Sequence, residues 1–375
     1  MFRARRHPLD FRRDEVAYVM QRWKAADSCA LVGVGSVGKS NLLQHLANSE
    51  VQRTYIPNIS NEHEFKAIII DPNMLGPLPV SGDRVEEMRV WAGYELMMHR
   101  LFMAFYPFDM LSEEEARGFY SAYEALQDGT NPIYTYMGLR YFELGLDIFL
   151  RKGIRIVFMF DEFEDLLRNM PTRFFLNLRG LRDANKRLLS YLTFTRAPLS
   201  TLVDELDLSE LEIEPFTELF TDNILYVGPY NEMDARRMVE NMMSRNQKAY
   251  PEATLRFLMW ATGQYAGLLR SGFRLLDAIG PVDSASMMND ELLRELAMRR
   301  AIRMECRTLW LSLTSSERKA LKAVARLIDY TRSTEMEQAI AMLAQKKLLR
   351  IDQVNNTLHI EPPVFRIFVS TDPEG

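Results

Sequence analysis

Cysteine is almost absent from this chain of 375 residues, and the two present, Cys29 and Cys306, lie far apart. That excludes a disulfide framework and the paired-thiolate spacing of a structural zinc site. Cys29 reads instead as a small buried hydrophobe in the first strand. The five histidines, His7, His45, His63, His99 and His359, show no metal-ligand spacing. Long apolar runs are missing too, and none approaches the roughly 20 residues that cross a bilayer. The first six residues carry arginines, not a secretory apolar region. The expected setting is cytoplasmic, with no membrane partner. A net charge of −5 gives no footing for a general polyanion binder. Short-period repeats and low-complexity tracts are absent, which leaves out solenoids and disordered linkers. What remains, with 47% hydrophobic residues, is enough for a sizeable core and two or three domains.

The most informative stretch is Gly33, Val34, Gly35, Ser36, Val37, Gly38, Lys39 and Ser40, a full match to G-x-x-x-x-G-K-[ST]. It follows a strand-like run, 28–33, and precedes a helix-forming run, 40–47. The chemistry of a triphosphate cradle requires that order. Glycines let the loop fold tightly so that backbone N–H groups converge on phosphate oxygens. The helix start, through Asn41, adds its positive dipole end. Lys39 then supplies a point charge and Ser40 a hydroxyl for Mg²⁺. A chance match arises in about 1% of chains of this length, and the alternative is a Gly-rich turn before a core helix.

A second stretch adds to the first. Residues 154–160 form a nearly continuous apolar run, bounded by Lys152 and Gly153, that reads as a buried parallel strand. It ends in Asp161 and Glu162, at the carboxyl end where open α/β sheets place their ligands. Asp161 there can hold Mg²⁺, and Glu162 can orient and deprotonate an attacking water. Glu164 and Asp165 read as the acidic first turn of the next helix.

Other buried strands are expected at 65–71, 188–195 and 223–227, alternating with helices. This predicts an α/β fold with a doubly wound parallel-sheet P-loop core. Between 71 and 154 lies a methionine-aromatic stripe, including Trp91, Tyr94, Met97, Met98, Leu101, Phe102 and Phe105. It reads as core packing, with a partner groove as the alternative. From 231 the strand signal stops. Helices are expected at 232–245, 251–261, 265–279 and 291–303, then at 306–313, 315–327 and 333–347, with Ser315 opening an N-terminal cap. A hairpin follows at 348–352 and 357–360, its turn using positive φ at Asn355 and Asn356. Three helices and a hairpin describe a winged helix. The expected division is a core at 1–229, an all-α lid at 230–303 and a C-terminal winged helix at 304–375, with 371–375 frayed.

Together these features resemble an AAA+-related P-loop ATPase, closest to the STAND and origin-recognition-like group. His7 to Glu15 is similar to the family's motif near the adenine, and Phe160 to Leu166 to its second phosphate-site motif. Thr195-Arg196 resembles its first sensor, which implies that Arg196 reads the γ-phosphate; a salt bridge to Asp161 or Glu162 is the alternative. The family's lid carries a Gly-x-Pro turn where this chain has Ala266, which predicts a looser link between nucleotide and lid. Arg270 or Arg274 stands where a second sensor would be, or on a solvated helix face. Arg173, Arg179 and Arg182 likewise read as a helix face or a finger toward a neighbouring subunit.

The resemblance implies ATP and Mg²⁺ as cofactors, since no guanine-reading motif is present. It implies a slowly hydrolysing switch acting on a separate effector or sensor protein, with ATP-dependent homo-oligomers as a further expectation. DNA is the less favoured partner. The second helix of the winged helix opens with Glu335 and Glu337, and only Lys346, Lys347 and Arg350 offer charge to a phosphate backbone. A DNA-associated loader and an idle nucleotide-binding scaffold are the competing functions.

Overall fold

The apolar runs expected as buried strands pair into one parallel sheet. In the computed structural model, which describes residues 7–56, 64–128, 132–280, 282, 289–352, 354, 355 and 357–371, β1 (Cys29–Val32), β2 (Phe65–Ile70), β3 (Arg155–Phe160), β4 (Leu189–Thr195) and β5 (Ile224–Tyr226) stand in the order β2-β3-β4-β1-β5. Every residue of β1 and β4 is buried, as is all of β3 after Arg155. Strands covered on both faces read as unbroken apolar runs, which is why their sequences were legible. β2 pairs with β3 from Phe65↔Arg155 to Ile70↔Phe160, and β3 with β4 from Ile156↔Leu189 to Phe160↔Thr193, both parallel. Asp161 and Arg196, the residues that follow β3 and β4, therefore leave the sheet at the same edge.

Packing divides the chain into two compact units, Met1–Leu31 with Ser40–Leu225, and Val32–Lys39 with Tyr226–Gly375. The first holds the sheet and its helices: α1 (Arg13–Lys24), α2 (Lys39–Leu46, entered from the loop), α3 (Ser49–Tyr55), α4 (Val85–Phe105), α5 (Glu113–Gln127), α6 (Pro132–Leu150), α7 (Phe163–Asn169), α8 (Thr172–Ala184), α9 (Leu199–Glu205) and α10 (Glu210–Thr217). The methionine-aromatic stripe is core. Tyr94, Met97, Met98, Leu101 and Phe105 are buried on α4, and the Phe105 and Phe149 rings stack 4.0 Å apart. Trp91 donates its indole N–H to the Leu126 carbonyl at 3.0 Å, so its polar edge is satisfied.

The second unit is mostly helical: α11 (Glu232–Asn246), α12 (Glu252–Thr262), α13 (Ala266–Phe273), α14 (Leu276–Ile279), α15 (Asp290–Met298), α16 (Arg300–Leu311), α17 (Ser315–Val324) and α18 (Thr334–Gln345). A hairpin, β6 (Leu349–Asp352) and β7 (Thr357–Ile360), and α19 (Pro363–Thr371) follow. Several boundaries differ from expectation for local reasons. The charged helix expected at 291–303 breaks at Arg299, which is extended (φ −65°, ψ 133°), and α16 restarts and runs to Leu311. The cap of α17 is Thr314, one residue before Ser315: its hydroxyl accepts from Glu317 N–H at 3.1 Å, and Glu317 accepts from Thr314 N–H at 2.9 Å. That reciprocal box satisfies two orphan donors at once. In the hairpin, Asp352 makes the turn by accepting from the N–H groups of Val354 and Asn355, and Asn355 stays out of the positive-φ region. α19 was not anticipated; it buries Val364, Phe365, Phe368 and Val369 and packs against α12, α15 and α16. Residues 1–6, His63, 283–288, Asn356 and the tail 372–375, all part of the expectations above, lie outside the described residues.

Candidate functional site

The phosphate-type loop is anchored by its apolar members. Gly33, Val34 and Val37 are buried, whereas Gly35, Ser36, Gly38 and Lys39 are half-buried and Ser40 is exposed. Gly38 sits at φ 91°, and a Cβ there would come within 2.8 Å of the Tyr230 hydroxyl oxygen. No other residue fits that position. α2 starts at Lys39 with no acidic side chain in its first turn, and the positive end of a helix favours an anion. Asn41 is half-buried in that turn, while Leu42 and Leu43 anchor the helix in the core.

Behind the helix start, the segment expected near the adenine packs its rings together. His7 stacks on Phe11 at 4.0 Å, and Phe11 meets His45 of α2 edge-on at 5.3 Å. Burial first, and then the neighbouring His7, push the His45 pKa down to about 4.

The acidic strand end is organised by short-range bonds and one long-range one. Asp161 accepts from the Glu162 N–H at 3.0 Å, and its own N–H donates to the Ile70 carbonyl at 3.0 Å. Glu162 lies at φ 42°, ψ 47°, as the cap of α7. A left-handed glutamate costs on the order of 1–2 kcal/mol, and such strain persists only where surrounding contacts impose it. Asn73, just after β2, donates its side-chain amide to Glu162 at 3.3 Å and to Asp71 at 3.0 Å. Both carboxylates of the Asp161–Glu162 pair remain half-buried, within reach of water.

Arg196 forms neither of the salt bridges expected as alternatives. It pairs with Glu205 at the end of α9 at 2.9 Å. Among the helix arginines, Arg179 and Arg182 face Asp183 at 2.7 and 3.6 Å, and Arg173 is exposed. Arg270 and Arg274 are exposed. Around Ala266, Gly267 N–H donates to the Ser36 carbonyl at 3.0 Å, and Tyr230 N–H to that of Gln264 at 3.1 Å. Ala266 opens α13. Both cysteines are buried, and burial pushes the Cys29 thiol up to about 12 and raises that of Cys306. Neither is a reactive thiolate.

One charged residue offered to a nucleic acid backbone is removed from contention. Lys346 is fully buried and paired with Glu317 at 2.6 Å, since the end of α18 packs over the start of α17. Glu335 and Glu337, at the leading end of α18, bond to Ser316 and Arg332 at 2.7 Å each.

Comparison with known proteins places this architecture. No family model matches the chain. No curated protein matches it either. Solved structures do. The Walker-type ATPase PABY2304 of Pyrococcus abyssi is 15% identical, with 96% of this chain and 95% of that one covered at a TM-score of 0.51. The Aeropyrum pernix ORC2 protein, in ADPNP and ADP complexes, is 11% identical, with 96% and 92% covered at a TM-score of 0.52. The chain has their fold.

Sequence reading missed Asn73, and it also missed Glu305 and Ser312, which bond to the phosphate-type loop. Gly35 N–H donates to the Ser312 hydroxyl at 3.1 Å, and the Ser36 hydroxyl donates to Glu305. Asn73 had a usable signal, an Asp-Pro-Asn turn directly after an apolar strand. Glu305 had none, as one acid in a charged amphipathic helix.

Proposed function

We propose that this chain is an ATP-binding, slowly hydrolysing molecular switch that controls a separate effector or sensor protein. The observation that carries the reading is a complete G-x-x-x-x-G-K-[ST] loop closing β1 of a β2-β3-β4-β1-β5 sheet whose β3 ends in Asp161-Glu162. Backbone N–H groups from Gly33 to Asn41 hold phosphate oxygens, and Lys39 adds a point charge. The donor set suits Mg²⁺: Ser40 and Asp161 offer hard oxygen ligands. Among the described residues no three His, Cys, Asp or Glu side chains converge, so the ion would rest on these two groups, phosphate and water. When bound, it neutralises charge building on the phosphate oxygens. Glu162 takes the proton of the attacking water. The Asn73 amide bonds Oε2 of Glu162, and the other carboxylate oxygen can take that proton. Arg196 reads the γ-phosphate by exchanging Glu205 for it.

Residues 1–229 act as the core, 230–303 as a lid and 304–375 as a winged helix that passes the nucleotide state to the partner. Duplex DNA fits less well, because α18 opens with acids and Lys346 is sealed in an ion pair.

The deciding test is Lys39→Ala. The variant should melt at the wild-type temperature without ligand and lose the ATP-Mg²⁺-induced rise, because Lys39 lies on a ligand loop and its loss leaves no core cavity. A full ATP-dependent rise in the variant removes the phosphate-site assignment.

A further inference from the structure

The phosphate-type loop is held by more than its own backbone. Its tip packs in the second unit, where one carboxylate and one hydroxyl of α16 and its C-cap meet it. Glu305 accepts from the Ser36 hydroxyl through Oε2 and from the Ser271 hydroxyl through Oε1, the latter at 3.3 Å. Ser312, which donates to the Leu309 carbonyl at 2.7 Å, accepts from the Gly35 N–H. The fit leaves no slack. A Cβ on Gly35 would lie 2.6 Å from the Thr308 methyl, and one on Gly267 would strike the Glu305 carboxylate.

This arrangement is chemically odd for an anion-binding loop. The N–H and O–H groups of such a loop serve an anionic ligand, yet here an acidic side chain already takes one of them and a hydroxyl another. Like charges at short range repel, and at a partly buried site water screens them less. We propose that Glu305 is a positioning residue of the phosphate loop that acts as a charge gate: it holds Ser36, lowers the loop's affinity for polyphosphate, most for the most highly charged nucleotide, and leaves Ser36 when the loop fills. Because Glu305, Thr308 and Ser312 share α16 and its cap, loop occupancy is relayed to that helix. The inference rests on the nucleotide-binding reading above and adds a regulator to it.

The test compares binding of ATP-Mg²⁺ and ADP-Mg²⁺ by calorimetric titration to the full wild-type chain and to Glu305→Gln, with unliganded melting as the folding control. The amide keeps the shape and can still bond both hydroxyls, one of which then turns to accept from its N–H, but it removes the charge. ATP should bind about fivefold tighter to the variant and ADP about twofold, with both gains shrinking as salt rises from 0.05 to 0.5 M, as a screened charge requires (values on the order expected of one partly screened charge). Unchanged or weaker ATP binding by a folded Glu305→Gln protein overturns the gate. A wild type that binds neither nucleotide overturns the nucleotide reading instead, a distinct result. Hydrogen exchange on the wild type tests the relay without the variant. Amides over 305–312 should exchange faster with ATP-Mg²⁺ than without, and equal or slower exchange overturns the relay.

Discussion

Two charged clusters, one in each unit, treat their charges in opposite ways. At the end of β3, Asp161 and Glu162 stay half-exposed, and Glu162 accepts a 3.3 Å bond from the Asn73 amide. Between α17 and α18, Glu317 and Lys346 are sealed at 2% and 0% exposure. The first cluster keeps its charges near water, where they can change partners. The second has removed them from water, so that each depends on the other. Substitutions should therefore cost chemistry in one cluster and stability in the other.

The largest expected effect is on the exposed cluster. Glu162→Gln should keep ATP and Mg²⁺ bound while lowering phosphate release by about 100- to 10,000-fold, because the amide keeps shape but cannot take a proton. Steady-state phosphate release beside ATP binding checks it; normal turnover would assign the water to another residue. In the sealed cluster, Lys346→Met strands a buried carboxylate and should cost about 3–5 kcal/mol in urea unfolding. Adding Glu317→Gln should recover part of that loss. A loss below about 1 kcal/mol, the range of surface ion pairs, would put the pair in the same class as the exposed one.

A third contrast is set by pH. His45 is held neutral, with its pKa lowered from 6.5 to about 4. The unfolded chain binds the extra proton in that window, so stability should fall as pH drops from 6.5 toward 4, by on the order of 2–3 kcal/mol. Denaturation of His45→Gln across this range should lack that component; an unchanged slope would assign it elsewhere. The smallest effect is expected at Arg196, which is half-buried and paired with Glu205. Arg196→Ala should weaken ATP binding by about tenfold or less, within the range of one charge-assisted bond, and ADP binding hardly at all. Equal losses for both nucleotides would mark the Arg196–Glu205 pair as structural.

Much of the first unit was legible because its signals are local. A strand buried on both faces must be apolar at every position, so β3 and β4 announce themselves in sequence. The second unit is built of amphipathic helices, where one polar residue on the right face continues the period. The break at Arg299 and the cap at Thr314 were each misplaced for that reason. α19 was passed over because a nine-residue apolar stripe beside a hairpin resembles a strand as much as a helix.

The sequence by itself determined the phosphate-type loop with its helix, the acids at the end of β3, and the alternation that makes the sheet parallel. Each is written in contiguous residues whose spacing follows from backbone geometry. Only the tertiary structure decided the partners. It set β4 between β1 and β3, brought Asn73 to Glu162 across 89 residues and Glu305 to Ser36 across 269, turned Arg196 to Glu205 and buried Lys346. Contacts at such separations leave no period or spacing in the chain. Whether a charge ends in water or in a sealed pair depends on what packs over it, and that is a property of the folded whole.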